Sequence, residues 1–207
     1  MCDLWPMICA WGKTLYKMFL QYLKSLIELV LSPKKAWGDI ANSNPDPRKA
    51  LERGLYPLMA IMALTAFCHG FYGGLPLAPE GTTGIILIQI KVTLAQFIAV
   101  FLTVLIARGI FEATVRDMSS GNVPMEHVVT VPIYVTGLLT LIQIIANLCP
   151  VDLTLFWFLP AFLTLVLWHA RDYLQISSEK SGIYIVMSIG VLIIMPETLI
   201  FIFNLLL

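Results

Sequence analysis

The chain has 207 residues, of which 58% are hydrophobic and 13% are charged, and its thirteen basic and thirteen acidic residues cancel to a net charge of zero. A soluble domain of this composition would leave a large apolar surface uncovered, so the sequence excludes an ordinary soluble protein. The four cysteines form no C-x-x-C pair and imply no disulfide framework.

Residues 4–31 are apolar but are interrupted by polar residues at helical spacing. These residues step by four, four, three and four, which places them on one stripe of a helix. They are Lys13, Lys17, Gln21, Lys24 and Glu28, and the opposite face carries Phe19, Tyr22, Leu23, Leu26 and Val30. The pattern predicts an amphipathic helix in the membrane interface, with its lysines toward the lipid headgroups. The alternative is a helix packed on the cytoplasmic ends of a helix bundle.

A second, short helix follows. Ser32 is suited to an N-cap and Pro33 to the first helical turn, so Lys34–Ile40 is predicted to be helical. A turn-rich linker, 41–47, precedes the first span. Asp46 with Pro47 repeats the combination of cap and proline, so Arg48–Gly54 is predicted to lead as a helix into the first span. Residues 1–53 are therefore predicted to be a cytoplasmic and interfacial segment, and residues 54–207 a transmembrane domain.

The N-terminal segment is basic by three, with eight basic and five acidic residues. Such an excess argues for contact with anionic lipid rather than with nucleic acid. The predicted membrane-surface basic stripe consists of Lys13, Lys17, Lys24, Lys34 and Lys35.

Five apolar runs follow, each long enough to approach or exceed the ~20 residues that cross a bilayer. They lie at about 55–75, 85–107, 128–149, 153–169 and 182–207. Basic residues precede the first run and follow the second and fourth, whereas connections 76–84 and 150–152 contain none. Because cytoplasmic connections are rich in lysine and arginine, the predicted topology has the N-terminus inside and the C-terminus outside. The predicted fold class is thus an all-α integral membrane protein.

Two stretches resemble the Yip family (Ypt/Rab-interacting-protein domain), particularly its short prokaryotic members. Residues 31–40 read Leu-Ser-Pro-Lys-Lys-Ala-Trp-Gly-Asp-Ile, and the third run opens with Val131-Pro132-Ile133-Tyr134 and is followed by Pro150. The resemblance implies a multi-pass protein with a cytoplasmic N-terminus; eukaryotic members bind prenylated small GTPases and serve vesicle traffic. This chain lacks their long tail and has Glu52-Arg53-Gly54-Leu55-Tyr56-Pro57 near the place of their Asp-Leu-Tyr-Gly-Pro-like motif, which argues against GTPase binding.

Ionisable residues inside spans are costly, so each is a candidate functional residue. His69, Lys91 and Glu197 are such residues, and Gln143 lies at a similar predicted depth. We expect these four to meet as an intramembrane polar cluster. One interpretation is a structural ion pair between Lys91 and Glu197, and the other is a polar cavity that binds a proton, an ion or a small polar molecule.

Pro160 and Pro196 are predicted to kink the fourth and fifth spans. His127, His169, Glu126 and Asp172 could converge at the cytoplasmic face as a metal set, but no ligand spacing repeats and an anchoring role is the favoured interpretation. The sequence contains no hydrolase, metalloprotease, phosphate-loop or dinucleotide motif. No enzymatic activity, metal or cofactor is therefore predicted.

The sequence favours a non-enzymatic membrane protein of Yip type that acts in membrane organisation or as a partner-binding scaffold. Its predicted partners are the lipid bilayer and other membrane proteins or further copies of itself. A small transporter or channel that uses the polar cluster is the alternative function. The expected location is a bacterial inner membrane, or an endomembrane if the protein is eukaryotic.

Overall fold

A computed structural model describes residues 4–43, 46–72, 81–119, 121, 123–149 and 159–206. Within these residues every named secondary-structure element is a helix, which confirms the predicted all-α class. The α-helices are α1 (Leu4–Leu31), α2 (Pro33–Asn42), α3 (Pro47–Ala50), α4 (Tyr56–Tyr72), α5 (Gly81–Met118), α6 (Met125–Leu148), α7 (Leu159–Tyr173), α8 (Ser181–Ile189) and α9 (Met195–Leu206). Two π-helical segments, Leu51–Leu55 and Gly190–Ile194, join α3 to α4 and α8 to α9.

Four helical stretches in the described part of the chain are long and apolar enough to cross a membrane. They are Pro47–His69, Ile86–Met118, Met125–Leu148 and Ser181–Leu206. The chain is therefore a multi-pass helical membrane protein. The predicted span 153–169 lies partly outside the described residues, and its described part, 159–169, is helical in α7. A fifth span stays a prediction.

The first span begins earlier than its apolar run. Asp46 caps the helix by accepting hydrogen bonds from the backbone N–H groups of Arg48 (3.0 Å) and Lys49 (3.2 Å). From this cap the helix continues through the π-helical segment into α4, so the polar residues 47–54 are its first two turns. This confirms the predicted start of the helix at Asp46-Pro47.

The α5–α6 and α7–α8 connections meet at one end of the bundle. After α5, the Ser119 hydroxyl donates to the Leu174 carbonyl (3.1 Å), and the Ser177 N–H donates to the Met118 carbonyl (3.3 Å). At the other end, the His69 ring lies 2.8 Å from the Asn147 carbonyl. The α5–α6 connection and the α7–α8 connection therefore lie on the same side, opposite to the ends of α4 and α6.

Helix α1 packs against the bundle. Tyr22, Leu26 and Leu29 are buried along one side of α1 and belong to the same core as residues of α4 and α6. Helix α2 continues this layer, with Ala36, Trp37 and Ile40 buried. The structure thus has the packing that was the alternative prediction for this helix.

Candidate functional site

Tyr22 attaches α1 to the bundle. Its ring lies between Gly54, in the first π-helical segment, and Gly137 of α6, and a Cβ atom on either glycine would overlap the tyrosine. The Tyr22 hydroxyl donates a hydrogen bond of 3.0 Å to the Ile133 carbonyl. Burial, with the nearby Tyr134, raises the pKa of Tyr22 well above its ordinary value, so the hydroxyl stays a neutral donor. We call this arrangement the Tyr22 slot.

Trp37 attaches α2 in a similar way. It is 1% exposed, and its indole N–H donates to the Val166 carbonyl of α7 at 3.0 Å. Its ring stacks on Tyr173, with centroids 5.2 Å apart, and meets the edge of Tyr134 at 6.3 Å. Large rings that also satisfy a backbone carbonyl give both packing and orientation. Two short helices are therefore fixed to the long ones by specific contacts.

The Tyr22 slot lies at the start of α4. The 18 residue steps from Gly54 to Tyr72, the last described residue of this helix, rise about 27 Å, which is similar to the ~30 Å of hydrocarbon in a bilayer. That α1 lies at the membrane boundary stays a prediction.

The surface of α1 divides into three sectors. The first, with Tyr22, Leu26 and Leu29, is buried against the bundle, and the second carries the polar stripe, in which Lys17, Gln21 and Lys24 are exposed. The third sector is apolar and yet exposed, and we call it the apolar sector. Its exposed members, spaced for one helix face, are Tyr16, Leu20, Ile27, Val30 and Leu31. The single apolar face predicted from sequence is thus shared between the bundle and the outside.

A cavity of about 480 Å³ lies among α1, α2 and α3. Tyr22 and Tyr134 form part of its wall. Two ion pairs also contribute residues to it: Lys24 with Glu28 (3.7 Å) and Lys49 with Asp46 (3.1 Å). The hydrogen bond with Lys49 holds the pKa of the Asp46 carboxyl below its usual value. A cavity with an aromatic wall and charges of both signs suits a polar group of a partner molecule.

The predicted basic stripe lies on this layer. Lys17, Lys24, Lys34 and Lys35 are exposed, and the side chain of Lys13 lies outside the described residues. Contact of these lysines with lipid stays a prediction. Sequence reasoning missed Gly54 and Gly137 as partners of Tyr22, because a glycine in an apolar helix gives no sign of which distant ring it faces.

Two members of the predicted polar cluster lie on neighbouring helices. His69 of α4 contacts the Asn147 carbonyl, and Gln143 lies one turn before Asn147 on the same helix, α6. Both side chains are partly buried. The structure therefore brings His69 and Gln143 to the same region of the α4–α6 interface.

The other two predicted members are Lys91 and Glu197. Both side chains are exposed, and no ion pair between described residues connects the two. Binding by the four-residue cluster stays a prediction.

The two prolines differ in what can be observed. Pro196 lies two residues after the π-helical segment Gly190–Ile194. The helix changes from π to α at Met195, just before the proline, which has no backbone N–H. Pro160 is the second described residue of α7, and its side chain lies outside the described part, so a kink there stays a prediction.

The possible metal set is not assembled among the described residues. No group of three or more histidine, cysteine or acidic residues in that part of the chain could hold a metal ion. The His127 ring instead stacks on Tyr173, with centroids 5.0 Å apart. This contact fits the anchoring interpretation of the cytoplasmic-face residues.

No family model, curated protein or solved structure matches the chain. Fold and composition therefore define its class, a multi-pass helical membrane protein.

Proposed function

We propose that this chain is a non-enzymatic, five-span membrane protein of Yip type, which organises the membrane or recruits a partner through α1 and α2. The observation that carries the proposal is the exposed apolar sector of α1, on a helix that the Tyr22 slot fixes to the bundle. A soluble surface rarely exposes such a stripe, whereas an interfacial helix requires it.

The arrangement of helices supports the five-span topology. Helix α6 starts at the end of the bundle that carries the basic connections and finishes beside His69, at the other end. Helix α7 ends back beside Ser119. The chain must return across the bundle between these points, and a crossing by α7 fulfils this need. The excess of lysine and arginine at the shared end supports a cytoplasmic N-terminus.

Contact between α1 and lipid can be tested in nanodiscs. In a background without Cys2, Cys9, Cys68 and Cys149, a small fluorophore is attached to a cysteine at Ile27, in the apolar sector, or at Gln21, in the polar stripe. We expect lipids with brominated acyl chains to quench the label at Ile27 at least twofold more than the label at Gln21. Equal quenching at both positions would contradict the interfacial placement.

A second experiment separates the proposed function from transport. Proteoliposomes that contain the wild-type chain are given a pH gradient, and proton flux is followed with an internal dye. We expect the flux to equal that of protein-free liposomes. A pH-dependent flux that disappears in Lys91→Ala and Glu197→Ala would replace the scaffold with a transporter.

A further inference from the structure

The bundle contains a layer of uncharged polar side chains within the hydrocarbon region. On α4 and α6, the Asn147 amide donates to the Thr65 hydroxyl at 3.4 Å, and the His69 ring lies 2.8 Å from the Asn147 carbonyl. Thr65 and His69 are four residues apart, as are Gln143 and Asn147, so each helix presents a polar pair on one face. This layer is far from the Tyr22 slot, by about 16 Å of helix rise between Gly54 and Thr65.

Helix α5 supplies a third polar stripe at the same level. Tyr56 of α4 contacts Phe101 of α5 with ring centroids 6.3 Å apart. Since the two helices are antiparallel, Thr65 lies opposite residue 92, next to Thr93. Gln89, Thr93 and Gln96 share one face of α5, and Gln89 is 4% exposed. This face also carries Val100 and Ala107, which belong to the core, so it is directed into the bundle.

Three atoms of this layer are buried without a hydrogen-bond partner among the described residues. They are the Thr93 hydroxyl and the side-chain carbonyl oxygens of Gln96 and Gln143. An unsatisfied polar atom costs several kcal/mol in hydrocarbon, and three at one level of a bundle are too many for a dry interface. Such atoms are satisfied by a small molecule that supplies hydrogen bonds.

We propose that the interior between α4, α5 and α6 at the level of Thr93 and Gln143 is a hydrated site for small uncharged molecules that donate hydrogen bonds. Water is its smallest occupant. Amides, hydroxyls and one imidazole form the site, and no carboxylate is among the residues named, so a full positive charge gains no counter-ion there.

The test uses the rate of thiol modification in the full-length, otherwise cysteine-free chain in liposomes. A thiol reacts as its thiolate, which forms where water is present and not in lipid. Thr93→Cys is compared with Leu94→Cys, its neighbour on the lipid side of α5, which is 47% exposed. Gln96→Cys and Phe97→Cys form a second matched pair, which decides the outcome if the first pair fails to give a monodisperse protein.

We expect neutral methyl methanethiosulfonate to modify Thr93→Cys and Gln96→Cys at least tenfold faster than Leu94→Cys and Phe97→Cys. A permanently cationic reagent of the same reactive group should show no such preference for the interior positions. Equal, slow modification within each pair would overturn the proposal, because the layer would then be dry. Equally fast entry of the cationic reagent would overturn the uncharged class of ligand.

Discussion

The Tyr22 hydroxyl of α1 donates a hydrogen bond to the Ile133 carbonyl of α6 across 3.0 Å, and 111 residues of chain separate the two partners. Because Tyr22 is 4% exposed, water cannot replace this bond. The contact fixes the rotation of α1 about its own axis. It thereby determines that the apolar sector of α1 is directed away from the bundle.

Tyr22→Phe removes only the hydroxyl. We expect it to lower the free energy of unfolding by about 1 kcal/mol, since the Ile133 carbonyl loses a buried donor. The measurement is the thermal midpoint of the full-length protein in nanodiscs. Tyr16→Phe, at a tyrosine that is 64% exposed on the same helix, is the control and should leave the midpoint unchanged. Equal midpoints for Tyr22→Phe and wild type would show that the bond contributes nothing.

Gly137→Ala places a methyl group where the Tyr22 hydroxyl lies. We expect the free energy of unfolding to fall by roughly 1 to 3 kcal/mol, the usual cost of overpacking a filled site. Gly109→Ala is the matched control, because a Cβ atom there meets nothing within 4 Å. If the ring is the cause, Tyr22→Ala should remove most of the penalty of Gly137→Ala in a double-mutant cycle. Additive effects of the two substitutions would contradict the slot.

Trp37→Phe keeps an aromatic ring but removes the indole N–H that binds the Val166 carbonyl. We expect α2 to pack more weakly on the bundle. The free energy of unfolding should fall by about 1 to 3 kcal/mol, because the buried carbonyl is left without a donor. Limited proteolysis in the 41–47 linker should accelerate. Trp168→Phe, at a tryptophan that is 47% exposed, should leave the cleavage rate unaltered.

Asp46→Ala removes the cap of the first span. The expected cost is roughly 1 kcal/mol near neutral pH, in the range measured for such caps. The pKa of Asp46 is lowered in the folded protein, chiefly by the hydrogen bond with Lys49, so its contribution is present above the unfolded pKa of about 3.9. The contribution is lost as pH falls through the folded pKa.

The difference in thermal midpoint between wild type and Asp46→Ala should therefore be constant from pH 6 to 8 and shrink below about pH 4. Lys49→Met should move the onset of this loss to higher pH, because it removes the first cause of the lowered pKa. A difference that stays constant down to pH 3 would show that the carboxylate charge has no part in the cap.

The sequence predicted those features that depend on local pattern. The polar stripe of α1, the Ser32-Pro33 start of α2 and the described parts of the apolar runs lie in helices, as expected. The start of the first span at Asp46-Pro47 was also predictable, because a capping residue followed by a proline marks the first turn of a helix. The depth of His69 and Gln143 follows from counting residues along a span.

Rotation about the helix axis could not be predicted. Helix α5 is apolar on nearly every side, so its sequence does not show whether Lys91 or Thr93 faces the interior. The structure directs Thr93 inward and leaves Lys91 exposed. The sequence therefore could not show that Thr93 and Gln96 lie on the interior face of α5. Pairings such as Tyr22 with Gly137 depend on contacts between distant parts of the chain, for which a single sequence has no signal.

The π-helical segment Leu51–Leu55 holds one residue more than an α-helical segment of the same length. Deleting one residue there would leave a regular α-helix in which α3 and α4 keep their relative rotation. Inserting a further residue would instead rotate α3 by about 100° relative to α4, because each residue of an α-helix turns the chain by that angle. A one-residue insertion between Asp46 and Tyr56 should therefore be tolerated less well than a one-residue deletion.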